Sequence, residues 1–170
     1  MNERLFHIRR AVPDDAAAIA AVLESVAAER VYSAIDRAWP PDEQRRYLES
    51  RSNRETFHVA IATSGDVIGY QSLDLYSPAL VSMAHVGQLG TFLLSAWRGR
   101  GVGQALFEAS ARFAASAGYR KLVIQVRASN AQAQGFYQRL GFVECGRLRA
   151  QVIIDGREDD EVVMERFLTP

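Results

Sequence analysis

The chain has 170 residues, 48% of them apolar and 24% charged, which is ordinary for a globular domain and fits one domain over residues 1–170. Its 20 basic and 20 acidic side chains cancel, which argues against a nucleic-acid binder, since those carry a basic excess. The single cysteine, Cys145, excludes an internal disulfide and a cysteine metal site, and no apolar run approaches the roughly 20 residues that span a bilayer. No basic-then-apolar leader opens the sequence, so the cytoplasm is the expected compartment.

Residues 6–10 read as a first strand. Pro13, Asp14 and Asp15 then start a helix in which Ile19, Val22, Leu23 and Val26 recur at helical spacing. The two acids suit the positive end of its dipole. Pro40, Pro41, Asp42 and Glu43 start a second helix running to about Ser50. Between the two, residues 29–39 are irregular and aromatic-bearing. Phe57, Val59 and Ile61 alternate with His58, Ala60 and Ala62 as a strand. Ser64, Gly65 and Asp66 turn it into another strand over 67–75. A loop covers 76–84, a strand 85–94 and a glycine-rich loop 98–103. The next helix aligns Val102, Ala105, Leu106, Ala109, Phe113 and Ala117 on one face and stops at Gly118. Leu122, Ile124 and Val126 form a strand, and 131–140 a short helix ended by Gly141. Two closing strands, 142–154 and 160–167, flank the turn Asp155-Gly156. Strand, helix, strand across 85–126 implies a parallel pair by right-handed crossover, with antiparallel hairpins on either side. The expected fold is α/β: a mixed, mostly antiparallel sheet of about seven strands with helices on both faces.

The strongest chemical signal is Arg98-Gly99-Arg100-Gly101-Val102-Gly103, after a strand and before a long helix. Glycines let the backbone turn tightly and bring its amides close to a ligand. The unpartnered amides of a helix start face the same point, where the dipole is positive. A diphosphate suits such a place, and Arg98 and Arg100 could add charge-assisted bonds; a plain tight turn is the alternative. The run is no Walker loop, and Gly103 comes one residue early for Gly-x-Gly-x-x-Gly. A second signal spans Asn130 to Phe142. Asn130 suits a helix N-cap, and Phe136, Tyr137 and Leu140 share the sheet-facing side of the short helix.

Together these resemble the GCN5-related N-acetyltransferase superfamily over nearly the whole chain. That family carries Arg/Gln-x-x-Gly-x-Gly/Ala after its fourth strand, matched by Arg98, Gly101 and Gly103. Its Asn, followed seven residues later by Tyr and then Gly-Phe, is matched by Asn130, Tyr137, Gly141 and Phe142. The resemblance implies acetyl-CoA as co-substrate and a central parallel pair splayed at a bulge. It implies that the amides of Gly99, Arg100, Gly101, Val102, Gly103 and Gln104 hold the coenzyme diphosphate. Backbone groups of Thr91, Phe92 and Leu93 would pair with the pantetheine arm, and Asn130 would bond to it. Tyr137 would be the acid that protonates the departing thiolate. No metal is expected.

The proton acceptor is open. Family members often place Glu where this chain has Gln88 and Gln125, and neither accepts a proton usefully at neutral pH. His85, Glu29 and Asp74 are the candidates, each with an ordinary structural or surface reading beside it. A substrate amine of low pKa would need none. Acceptor contacts are expected from residues 29–39, 76–84 and 147–157, among them Glu29, Tyr32, Trp39, Arg147 and Arg149. The charged run 157–161 reads as a solvated face, and Cys145 as a buried filler. The favoured acceptor is a small amine or amino acid. A protein amino terminus or lysine is the second reading, and a non-catalytic acetyl-CoA sensor the third. Homodimers are common in the family, and no residue here decides that point.

Overall fold

Apolar side chains on both faces of residues 56–62 and 67–75 make these two strands the buried centre of one sheet. The computed structural model describes residues 5–168. Its strands are β1 (Phe6–Arg10), β2 (Thr56–Ala62), β3 (Val67–Leu75), β4 (Val86–Leu93), β5 (Lys121–Arg127), β6 (Val143–Ile154) and β7 (Arg157–Phe167). They lie in the order β1-β2-β3-β4-β5-β7-β6. Neighbours are antiparallel except β4 and β5, which are parallel. The helices are α1 (Ala16–Ala28), α2 (Pro41–Glu49), α3 (Val102–Ser116) and α4 (Ala131–Arg139).

Each face carries its own core. Ile19, Val22 and Leu23 of α1 pack on Phe57, Val59, Ile61 and Tyr70. On the opposite face, Phe107 and Ala114 of α3 and Tyr137 of α4 pack with Leu73, Leu89, Leu122, Ile124, Val162 and Met164. The period of two puts Gln71, Leu73, Leu89 and Thr91 on the α3/α4 face, and Tyr70, Gln88 and Gln125 on the α1/α2 face. The fold expected from the sequence is the fold observed.

Three local readings change. A 3-10 turn, Pro13–Asp15, precedes α1, because buried Asp15 is locked by Arg9 (2.7 and 2.8 Å) and by the Val12 amide (2.8 Å). The last strand starts at Arg157, three residues earlier than expected. Asp155 (φ 52°) and Gly156 (φ 73°) form a two-residue turn with both φ positive, and the ladder resumes at once with Ile154 opposite Arg157. Cys145 is exposed rather than buried. It lies on β6, the sheet's edge, where residues 143–151 are all exposed because no helix layer reaches that far. Among the described residues no helix is long and apolar enough to cross a membrane.

Candidate active site

β4 and β5 are joined only where Val86, Gly87 and Gln88 meet Lys121, Leu122 and Val123. Beyond Gln88, β4 follows β3 to Leu93 and β5 follows β7 to Arg127. The facing edges of residues 89–93 and 124–127 therefore share no ladder, leaving a wedge between two strands that run the same way. Thr91, Phe92 and Leu93 lie on one lip of it.

The glycine-rich loop closes the wedge where β4 hands over to α3. Gly99 (φ 71°) and Gly101 (φ 81°) take the left-handed conformation, which costs a side-chain-bearing residue about 1–2 kcal/mol. Among the described residues the amides of residues 99–104 find no backbone acceptor; the first helical bond is from Ala105 to the Gly101 carbonyl (3.0 Å). They form a nest of donors at the positive end of the 15-residue α3. Gly103 permits close packing: a Cβ there would sit 3.1 Å from Phe136 Cζ and 3.4 Å from Leu93 Cδ1.

Arg98 does not point freely into this nest. Its guanidinium holds both oxygens of Glu29 (2.8 and 2.5 Å) and donates to the Leu93 carbonyl (2.9 Å). It also lies over the Tyr32 ring at 4.2 Å. The Glu29 contact chiefly raises the Arg98 pKa, so Arg98 stays charged. Arg98 thus braces the glycine-rich loop against residues 29–39. Asn130 supports that segment from the other side. Its Oδ1 caps α4 by accepting from the Ala133 amide (3.0 Å), and its Nδ2 donates to the Tyr32 carbonyl (3.2 Å). Arg127 donates to the Arg30 carbonyl (2.7 Å).

On the α4 side, Tyr137 is buried, with its hydroxyl 2.7 Å from Thr91 Oγ1. Burial pushes its pKa up to about 12, against a downward pull from the Thr91 contact. Thr91 Oγ1 also accepts from Gln71 Nε2 (2.7 Å).

A scan against protein families matches residues 22–142 to the Acetyltransferase (GNAT) family. The chain belongs to the GNAT family of acetyltransferases. Its members move acetyl from acetyl-CoA to an amine, which is the activity of this chain. YwnH of Bacillus subtilis (strain 168) is 25% identical over 164 residues, covering 95% of this GNAT chain and 99% of YwnH. An aminoglycoside N(6')-acetyltransferase type 1 of Stenotrophomonas maltophilia is 29% identical over 147 residues, 83% of this chain and 88% of that one. A crystal structure of a Sinorhizobium meliloti GNAT-superfamily phosphinothricin acetyltransferase, in complex with acetyl-CoA, shares the fold. Its TM-score is 0.88 at 22% identity, over 97% of this chain and 89% of that one.

The GNAT wedge brings together most of the residues expected from the sequence and reassigns several others. Gln88 Nε2 donates to Gln125 Oε1 (3.2 Å) across the point where the strands part. Asp74 is engaged by the Tyr47 hydroxyl (2.7 Å) and by Arg51 (2.8 Å), and Glu29 by Arg98. His85 lies at the joined end of the strand pair, its carbonyl accepting from Arg120 and Lys121. The charged run 157–161 is not simply solvated. Asp159 pairs with Arg127 (2.8 Å) and accepts from Ser129 (2.6 Å). These bonds hold its pKa below the ordinary carboxylate value although burial alone would raise it. Glu161 is only 9% exposed. It sits opposite Arg127 in the ladder, hence on the face of Gln88 and Gln125, and makes no hydrogen bond or ion pair among the described residues. Burial first, then the Asp159 charge, raises its pKa. Little in the sequence singles it out: Glu161 is the last of four consecutive acids, Glu158 to Glu161, directly before Val162-Val163-Met164.

Proposed function

We propose that this chain acetylates the amino group of a small molecule or amino acid in the cytoplasm, by direct attack of the amine on acetyl-CoA. The observation that carries the reading is the unladdered wedge ending on the donor nest of residues 99–104. An extended pantetheine arm can pair with the free edge at Thr91, Phe92 and Leu93 while its diphosphate meets the amides of Gly99, Arg100, Gly101, Val102, Gly103 and Gln104. The α1/α2 face is left for the acceptor. There residues 29–39 are pinned by Arg98, Asn130 and Arg127 and form a wall beside the approach, which suits a compact amine better than an extended peptide. The names of the aminoglycoside and phosphinothricin acetyltransferases support an acceptor of that class.

Acid and base then lie on opposite faces of the sheet. Attack builds negative charge on the thioester oxygen, which a β4 amide can stabilise. Tyr137, on the α4 side, gives its proton to the departing thiolate. With a pKa pushed up to about 12 it stays protonated at any working pH. The acceptor ammonium, with a pKa near 10, must lose a proton first. Glu161, on the acceptor face, makes no ion pair among the described residues, and burial first, then the Asp159 charge, raises its pKa above the ordinary carboxylate value, the direction that favours a base. Gln88 and Gln125 orient the water between.

The test is thiol release from acetyl-CoA with a panel of amino acids, phosphinothricin and aminoglycosides, alongside peptides with free amino termini. Turnover with a small amine and not with the peptides is expected. Turnover of peptides alone would overturn the acceptor class, and absence of acetyl-CoA binding by folded protein would overturn the reading as a whole.

A further inference from the structure

Two hydroxyls on the acceptor face are used neither by the fold nor by the proposed mechanism. Tyr70 is 3% exposed, its ring between Phe57 and Phe92 with centroids 5.8 and 5.0 Å away. Ser72, also buried, follows it on the same face of β3. Buried hydroxyls ordinarily find a partner, yet neither of these bonds to any group among the described residues. Among those residues, the side-chain polar atoms that are both unpartnered and sealed from solvent are Gln44 Nε2 and Gln71 Oε1. The Tyr70 and Ser72 hydroxyls therefore open onto free space.

That space lies beside the wedge. Ser72 faces Gly90 across the ladder, on the β4 lip. A Cβ at Gly90 would sit 3.1 Å from Ser72 Oγ and 3.2 Å from Phe92 Cε2, so the missing side chain is what keeps the Ser72 hydroxyl uncovered. Asp74 comes next along β3, opposite Gln88. Its bonds from Tyr47 and Arg51 both end on Oδ1, and Oδ2 has no partner among the described residues. Burial first, then Asp74 and Tyr47, raise the Tyr70 pKa, so its hydroxyl stays protonated and can donate. The result is a polar notch next to Gln88, offering two hydroxyls and a carboxylate oxygen.

The charges on this face leave no spare cation for a carboxylate. Lys121 is matched by Glu165, Arg127 by Asp159 and Arg98 by Glu29. Arg30 and Arg157 attend Asp155 at the far tip of the β6–β7 hairpin. Arg51 is shared between Asp74 and Glu55, and Glu161 is unpaired among the described residues. The surroundings of the notch thus carry an excess of negative charge.

We infer that Tyr70, Ser72 and Asp74 determine acceptor specificity, and that the acceptor is a carboxylate-free amine bearing hydroxyl groups, of the amino-alcohol or amino-sugar kind. The inference rests on the acetyl-transfer reading and selects the small-molecule acceptor within it. A hydroxyl fits the notch because it can accept from Tyr70 or Ser72 and donate to Asp74 Oδ2. A carboxylate would instead meet Asp74 and Glu161 with no cation to offset them.

The experiment compares serinol with serine, amines that differ by a hydroxymethyl group in place of a carboxylate, by thiol release at saturating acetyl-CoA. Serinol should be preferred in kcat/KM by at least about tenfold. Asp74→Asn removes one charge and loosens Arg51, and should cut that preference by at least about threefold. Tyr70→Phe keeps the stacked ring and Ser72→Ala keeps the strand; each should raise KM for serinol about three- to tenfold. Hydroxylamine reaches the thioester without filling the notch, so its kcat/KM should fall by less than that of serinol in both variants. Equal use of serine, a preference unmoved by Asp74→Asn, or equal losses with hydroxylamine and serinol would overturn the inference. A second readout needs no turnover: kanamycin and phosphinothricin are titrated by calorimetry into the protein saturated with coenzyme A. Kanamycin should bind more tightly, and Tyr70→Phe should weaken it about three- to tenfold. Tighter phosphinothricin, or kanamycin binding that Tyr70→Phe leaves unmoved, would sink the idea. Wild-type protein that releases no thiol even with hydroxylamine would refute acetyl transfer instead, with the calorimetry still deciding the notch.

Discussion

Arg98 can serve the coenzyme in two ways, and replacing Glu29 separates them. Either its guanidinium contacts phosphate, or it holds the loop that does. In the structure both Glu29 oxygens are bonded to it, Arg98 being 17% and Glu29 28% exposed at the side chain. A bidentate pair with that much cover is worth more than an open surface pair, whose median is below 1 kcal/mol, and less than a fully buried one. Glu29→Gln should therefore cost about 1.5 kcal/mol. A domain of this size loses about 2–4 °C of melting temperature per kcal/mol, giving a fall of about 3–6 °C. Arg98 also holds the Leu93 carbonyl and covers Tyr32, so Arg98→Met should cost at least as much.

Affinity for acetyl-CoA, measured by calorimetry, distinguishes the two roles. As a brace, Arg98 acts through the position of residues 99–104, so Glu29→Gln and Arg98→Met should both weaken binding about three- to tenfold. The double variant should be little worse than either, since one contact has been removed twice. Direct phosphate contact predicts the opposite for Glu29→Gln: a guanidinium released from its carboxylate would hold phosphate as well or better. Unchanged or tighter binding by Glu29→Gln, with a large loss in Arg98→Met, would refute the brace.

Tyr137→Phe should lower kcat about 10²–10³-fold with acetyl-CoA affinity unchanged, measured by thiol release with an amine acceptor. Glu161→Gln should remove the acidic limb of the pH–rate profile with an alkylamine, a limb that lies above the ordinary carboxylate range because the Glu161 pKa is raised. Gly101→Ala should destabilise by about 1–2 kcal/mol through strain alone, since φ is +81° and nothing lies within 4 Å of the added carbon. Calorimetry should show weaker acetyl-CoA binding as well. Burial, helped by Arg10 and Arg112, lowers the His58 pKa to about 4. The unfolded chain, with His58 near its ordinary 6.5, binds more protons between those values, so that stability should be complete above about pH 6.5 and fall by up to roughly 3 kcal/mol towards pH 4. Denaturant titrations should show this slope shrinking in His58→Gln.

What was legible in the sequence was whatever the backbone decides. Apolar alternation placed β2 and β3, helical spacing placed α1 and α3, and the order of elements carried the parallel β4/β5 pair between antiparallel neighbours. Gly99, Gly101 and Gly103 marked the donor nest because only a backbone free of Cβ can turn there and still let α4 approach as closely as Phe136 does. The misreadings share one cause. Arg98 and Glu29 are 69 residues apart and Arg127 and Asp159 are 32 apart. In a chain of zero net charge, no local pattern says which acid each arginine will meet. Cys145 was misjudged for a related reason: burial of an edge strand depends on whether a layer reaches it, and spacing within the strand carries no information on that.

Those same pairings connect the two halves of the site. Arg98 links the glycine-rich loop to Glu29, Asn130 links the start of α4 to the Tyr32 carbonyl, and Arg127 links β5 to the Arg30 carbonyl. Residues 29–39 lack regular structure of their own, and three elements that border the wedge hold them. A segment held in this way keeps its shape only while β4, β5 and α4 keep theirs. A ligand that stiffens those elements therefore lowers the cost of ordering the acceptor wall, and the coupling must be reciprocal. Acetyl-CoA should accordingly raise the affinity for the acceptor, and Glu29→Gln should reduce that gain together with coenzyme affinity itself.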